Sequence, residues 1–149
     1  MLMTEPIPLR ADKAPAAGAL LCCPNMVAVA SGKGGVGKTW FSITLCHALA
    51  KAGRKALLFD GDFGLANVDI QLGLTPEKDL GAVVEEKLPM KAAVTRFGDG
   101  GFDILAGRSG SGNLAALPLE KLNKLRSDLI ALAKNYDVVV VDLGAGIER

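Results

Sequence analysis

A short glycine-rich stretch carries most of the chemistry in this chain. Gly32 is followed by four residues and then by Gly37-Lys38-Thr39, the spacing of a phosphate-binding loop. The glycines let the backbone curl so that the amides of Gly34, Gly35, Val36, Gly37 and Lys38 point inward at phosphate oxygens. A helix beginning near Thr39 adds its positive end to the same place. Lys38 is positioned to reach the outer phosphates, and Thr39 offers a hydroxyl to a Mg²⁺ bridging them. Lys33, in the same loop, is not required by that pattern. A long cation beside a nest of amides could neutralise charge on a neighbour's polyphosphate, as an arginine finger does in trans; a solvated loop lysine is the plainer alternative.

Three acids extend the set. Asp142 follows the apolar run Val138–Val141, where a phosphate-loop fold keeps the carboxylate that serves the magnesium shell. Asp60 and Asp62 close the run Ala56–Phe59 in an Asp-Gly-Asp turn, which reads either as a switch beside the terminal phosphate or as ordinary turn chemistry.

Such residues need a scaffold that brings strand ends and a helix start together. Met26–Ala30 (MVAVA) reads as a strand buried on both faces that feeds the loop. Thr39–Ala52 reads as a helix with Phe41, Leu45, Ala48, Leu49 and Ala52 on the core face and Gly53 ending it. Ala56–Phe59, Phe102–Ala106 and Asp137–Val141 read as further strands. Leu80–Lys87 and Met90–Phe97 are weaker helical stretches, and Pro118–Lys134 is a strong helix with Leu122, Leu125, Leu129 and Leu132 at helical spacing. Strands alternating with helices predict an α/β fold of phosphate-loop NTPase type, a parallel sheet with helices on both faces and its ligand site at the carboxyl edge of the strands. The loop and all three acids fall at that edge.

Composition narrows the alternatives. The chain has 149 residues, half of them hydrophobic, enough for one core. Residues 1–24 read as a flexible, Pro- and Ala-rich arm and 25–149 as one domain. Seventeen Lys and Arg against sixteen Asp and Glu give no bulk signal for nucleic acid. Cys22, Cys23 and Cys46 have neither disulfide nor zinc spacing, which fits a reducing cytoplasm. Arg10 and Lys13 before an uncharged run imitate a signal peptide, but cleavage after Ala30 would remove the strand that presents the loop. No stretch has the roughly 20 apolar residues of a membrane span. His47 reads as solvated or capping, on the helix face opposite the core, and Gly107–Gly112 as a plain surface loop.

At this point the residues carry a resemblance. Gly32-Lys33-Gly34-Gly35-Val36-Gly37-Lys38-Thr39 resembles the deviant Walker A motif of the MinD/ParA family of ATPases, whose hallmark is the first lysine. Asp60-Gly61-Asp62-Phe63-Gly64-Leu65-Ala66-Asn67-Val68-Asp69 is similar to that family's switch I, and most similar to its flagellar-number branch, the FlhG group. Asp142-Leu143-Gly144-Ala145-Gly146-Ile147 is similar to its Walker B and the start of switch II. The resemblance runs from Met26 to the end of the chain.

It implies an ATP-binding, slowly hydrolysing switch. Lys33 would cross an ATP-dependent homodimer interface to the partner's phosphates. Lys38 would bind phosphates in cis, Thr39, Asp60 and Asp142 would serve Mg²⁺, and Asp62 would orient the attacking water. Implied partners are a flagellar GTPase of the FlhF type or basal-body proteins, with cytoplasmic location. Family members are about twice as long. The domain is therefore expected to be incomplete after Asp142, lacking adenine-contacting loops and the terminal amphipathic helix through which such proteins touch membranes. Leu143, where threonine or another small or polar residue is more usual, and Trp40, after Thr39, depart from the pattern. The arm shows no glutamine-containing activating motif.

Two alternatives stay open: a cell-division or partition ATPase of the MinD or ParA kind, and a truncated nucleotide-binding or interaction module that hydrolyses nothing. An iron–sulfur reductase sharing the loop is excluded, because no cysteine follows Cys46.

Overall fold

The computed structural model describes residues 23–62, 66–75, 77–107 and 117–145. The expected arm lies almost wholly outside them, as do Gly107–Gly112 after their first residue and switch I between Phe63 and Leu65. In chain order the elements are β1 (Met26–Ser31), α1 (Lys38–Lys51), β2 (Ala56–Asp60), α2 (Val68–Leu72), α3 (Leu80–Val84), a 3₁₀ turn (Met90–Ala93), β3 (Thr95–Phe97), β4 (Phe102–Leu105), α4 (Leu119–Ala133) and β5 (Val138–Ala145). The strands form one sheet in the order β1-β5-β2-β4-β3. β1, β5, β2 and β4 run parallel, and β3 pairs antiparallel with β4.

Apolar residues on both faces of the central strands explain the layering. Leu57, Phe59, Leu105, Val139 and Val141 point to one side, where they meet Leu80 and Val83 of α3, Met90 of the 3₁₀ turn and Leu132 of α4. Leu58, Ile104 and Val140 point to the other, against Ile43 and Cys46 of α1 and Val68 of α2. Helices cover both faces, as expected. Each fully buried leucine contributes about 2 kcal/mol of hydrophobic stabilisation before entropy is counted. At the amino edge the Asn25 amide donates to the carbonyls of Ala133 and Tyr136 (2.8 and 3.0 Å), tying the start of β1 to the end of α4.

Three expectations need correction. β1 is not buried on both faces: it is an edge strand among the described residues, and Val27 is 45% exposed. The first helix buries Ser42, Ile43 and Cys46, whereas Phe41 is 53% exposed and Ala48 is exposed. That helix is apolar nearly all round, so hydrophobicity does not choose its face; the glycine loop that launches it does. Met90–Phe97 is no helix but the 3₁₀ turn followed by β3, because Val94 and Thr95 are β-branched and an antiparallel ladder to β4 takes up Thr95–Phe97.

Candidate functional site

The site is built where β1 gives way to α1. Ser31 donates its hydroxyl to the Lys33 carbonyl at 2.7 Å, bracing the turn. Gly37 stands at the helix N-cap with φ 90, a left-handed conformation that glycine adopts without steric penalty. No side chain caps α1, and its first turn holds no acid. The amides at its start thus face outward with the helix's positive end, an anion-binding arrangement. Lys38 and Thr39 are half-buried at that point, whereas Gly32, Lys33, Gly34, Gly35, Val36 and Gly37 are exposed. Among the described residues the Lys33 ammonium has no ion pair.

Directly behind the helix start lies Asp142, 2% exposed; it stands inside β5, which runs on to Ala145 instead of ending at Val141 as expected, and lies level with the carboxyl end of β2. It accepts hydrogen bonds from the hydroxyls of Thr39 and Ser42, the latter at 3.2 Å, and it feels the charge of Lys38. Burial pushes its carboxyl above the ordinary carboxylate range, against the pull of those donors.

Asp60 is its register partner on β2 and is 1% exposed. One Asp60 oxygen accepts the Asp62 amide (3.2 Å) and the other the Val68 amide (3.3 Å). This carboxylate therefore fixes the turn that holds Asp62 and the start of α2. Burial lifts it to about 7, the two amides oppose that, and the charges of Asp142 and Asp62 add to it.

Asp62 is half-buried and lies against the backbone of Gly144, where an added Cβ would sit 3.2 Å from its carboxylate oxygen. The Gly61 amide donates to the Asp142 carbonyl at 2.8 Å, linking the two loops.

These residues fit a magnesium–polyphosphate ligand. Mg²⁺ usually takes one or two carboxylates and completes its shell with phosphate oxygens and water. Among the described residues no three His, Cys, Asp or Glu side chains converge to hold a metal by themselves. Instead one carboxylate already touches the Thr39 hydroxyl, and a second is its neighbour in register. Two desolvated acids with raised pKa values are short of positive charge.

The structure brings Lys38, Thr39, Asp60, Asp62 and Asp142 to one edge and leaves Lys33 at its rim. Sequence reasoning missed Ser42, although it stands one turn after Thr39 on the same face, and it missed Gly144. His47 is half-buried, and its ring packs edge-on to Phe97 and Phe102, with centroids 5.9 and 5.1 Å away. Gly107 is buried against Asp60 and Ala66 rather than lying on a surface loop.

A family model described as the CobQ/CobB/MinD/ParA nucleotide binding domain matches residues 27–126. The chain belongs to this family. Within it, the antiactivator FleN of Pseudomonas aeruginosa is 42% identical over 124 residues, which is 83% of this chain and 44% of FleN. The flagellum site-determining protein YlxH of Helicobacter pylori is 32% identical over 123 residues, 83% of this chain and 42% of YlxH. Among solved structures, the septum site-determining protein MinD of Pyrococcus horikoshii, complexed with Mg-ADP, superposes with a TM-score of 0.69 at 28% identity, covering 83% of this chain and 50% of that one. The chain thus spans half or less of the length of these MinD/ParA relatives. As in the family, its strands alternate with helices around a mostly parallel sheet. No helix among the described residues is long and apolar enough to cross a membrane.

Proposed function

We propose that this chain binds Mg-ATP at the carboxyl edge of its sheet and hydrolyses it slowly, as a switch whose ATP-bound form is a homodimer. The observation that carries this reading is Asp142, buried behind the open start of α1 and held by the Thr39 and Ser42 hydroxyls. The loop amides from Gly34 to Lys38 and the Lys38 ammonium bind the phosphates. Thr39 and Asp142 would hold the cation, and Asp60 would support them while it positions the Asp62 turn. Asp62 orients the attacking water. A bound Mg²⁺ would supply charge neutralisation to the phosphates. Lys33, exposed and without an ion pair among the described residues, reaches the partner's phosphates.

The biological setting follows from likeness to FleN and YlxH: regulation of flagellar number or placement in the cytoplasm, with an FlhF-type GTPase or basal-body proteins as partners. A second reading is nucleotide binding without turnover. Phosphate release from Mg-ATP distinguishes the two. Turnover that falls by about a hundredfold in Asp62→Ala supports hydrolysis; release unchanged by that substitution removes Asp62 from the mechanism. Sedimentation in Mg-ATP tests Lys33: Lys33→Ala should stay monomeric where the unaltered chain dimerises.

A further inference from the structure

A second cavity opens at the opposite, amino edge of the sheet. It measures about 340 Å³ and is lined by Lys55, Lys91, Arg96, Asp103 and Tyr136, among others. Lys55 immediately precedes β2, Asp103 lies near the start of β4 and Tyr136 just before β5, so the whole sheet separates this cavity from the phosphate loop. Its floor is organised. Asp103 accepts the Tyr136 hydroxyl at 2.8 Å and pairs with Arg96 at 2.9 Å, its own side chain being only 15% exposed. Burial and the Asp103 carboxylate push the Tyr136 phenol up, so it remains a neutral donor. The Lys55 ammonium rests over the Tyr136 ring at 4.9 Å. Neither the Lys55 nor the Lys91 ammonium has an ion pair among the described residues; the Lys55 backbone amide donates to the Asp137 carboxylate at 2.8 Å, and even with that acid beside the lining's Asp103 the three cations leave the cavity net positive.

A second depression of about 260 Å³ continues from it, sharing Lys91, Leu132 and Asn135. Its walls are mainly apolar, from Pro89, Met90, Ala131 and Leu132, and Asp128 stands among them. A positive pocket, an apolar trough and an acid in continuous succession match an elongated, amphoteric ligand better than a free anion, which would leave the trough unused.

We propose that this groove docks a short extended peptide segment of a partner protein, an acidic side chain entering between Lys55 and Lys91 and the following aliphatic side chain lying on the exposed Pro89 and Ala131. Attraction between opposite charges selects the segment, and burial of the aliphatic group retains it. Because the cavity lies across the sheet from Lys38, docking does not require the nucleotide site.

The sequence supplies its own reporters, since Tyr136 is the only tyrosine and Trp40 the only tryptophan. The experiment titrates the full chain with fluorescein-labelled hexapeptides in which glutamate, leucine and lysine are permuted over the central positions, followed by polarisation and by aromatic NMR. Peptides with glutamate ahead of leucine should bind, weaken with salt, and shift the tyrosine resonances while leaving those of the tryptophan in place. Their affinity should fall by about tenfold or more in Lys55→Glu/Lys91→Glu and stay unchanged in Lys38→Ala. The proposal is overturned if no permutation outbinds a neutral peptide, if the double variant binds as the parent does, or if a single-stranded oligonucleotide shifts the tyrosine more effectively than every peptide. The two lysines are exposed and make no structural ion pair, so Lys55→Gln/Lys91→Gln serves as the milder check should charge reversal disturb folding.

Discussion

Asp60 and Asp142 are register partners on adjacent strands, and neither is more than 2% exposed. Two carboxylates this close and this dry are held together by the sheet, not by attraction. The arrangement becomes favourable when a cation and the Lys38 ammonium share their charge. That relationship links the fold to its chemistry.

It sets a pH dependence. Burial lifts Asp60 from an ordinary 3.8 to about 7, and Asp142 moves in the same direction. A carboxyl whose pKa is raised on folding adds stability that is complete below its unfolded value and is lost as pH rises through its folded value. Without magnesium and nucleotide, the chain should therefore melt at a lower temperature at pH 8 than at pH 5.5, and Asp60→Asn should flatten that difference. Thermal melts at the two pH values check it. A higher melting temperature at pH 8 would count against the pair.

Ser42 should matter more than its plain chemistry suggests. Its hydroxyl is one of two donors to a buried carboxylate. Ser42→Ala removes a hydrogen bond to a charged group, worth about 1.5–3 kcal/mol. Urea denaturation should show that loss with an unchanged slope. A change below about 0.5 kcal/mol would mean that the carboxyl does not depend on this donor.

Gly144 offers a way to move Asp62 without altering its chemistry. A methyl group there would lie 3.2 Å from the Asp62 oxygen and push it aside. Turnover should fall by about tenfold or more, since small misplacements of a positioning group are costly. Binding of Mg-ATP should change little. Equal losses in both would place the effect on the site as a whole.

Glu86 is the one non-glycine residue with positive φ (61) among those described, just past the end of α3. Glycine is the usual occupant of such a position. Glu86→Gly should stabilise the chain by about 0.5–1 kcal/mol, partly offset by loss of the exposed pair with Lys124 at 3.3 Å. A chemical-denaturation midpoint below that of the parent would show that the pair outweighs the backbone strain.

What the sequence made legible was whatever rests on spacing. The glycine loop, the apolar strands and the acids at their ends come in one order, and a parallel sheet brings that order to one edge. Less legible was whatever depends on phase or neighbours. In the first helix, apolar residues on every side hid the fact that Ser42 and Cys46 face inward while Phe41 faces out. β1 has the composition of a buried strand, but burial depends on what lies beside it, and a strand's own residues do not state that. His47 seemed free because Phe97 and Phe102, its packing partners, lie some fifty residues away in the chain. Nor did the spacing of Asp60 show that its two oxygens are taken up by the amides of Asp62 and Val68.

The most direct test is calorimetric titration of the 149-residue chain with Mg-ATP, Mg-ADP and Mg-GTP, beside Lys38→Ala. Saturable binding of Mg-ATP by the parent chain, lost in Lys38→Ala, is the expected result. A folded chain that binds none of the three, or a Lys38→Ala variant that binds as well as the parent, would contradict the assignment of this edge as a phosphate site.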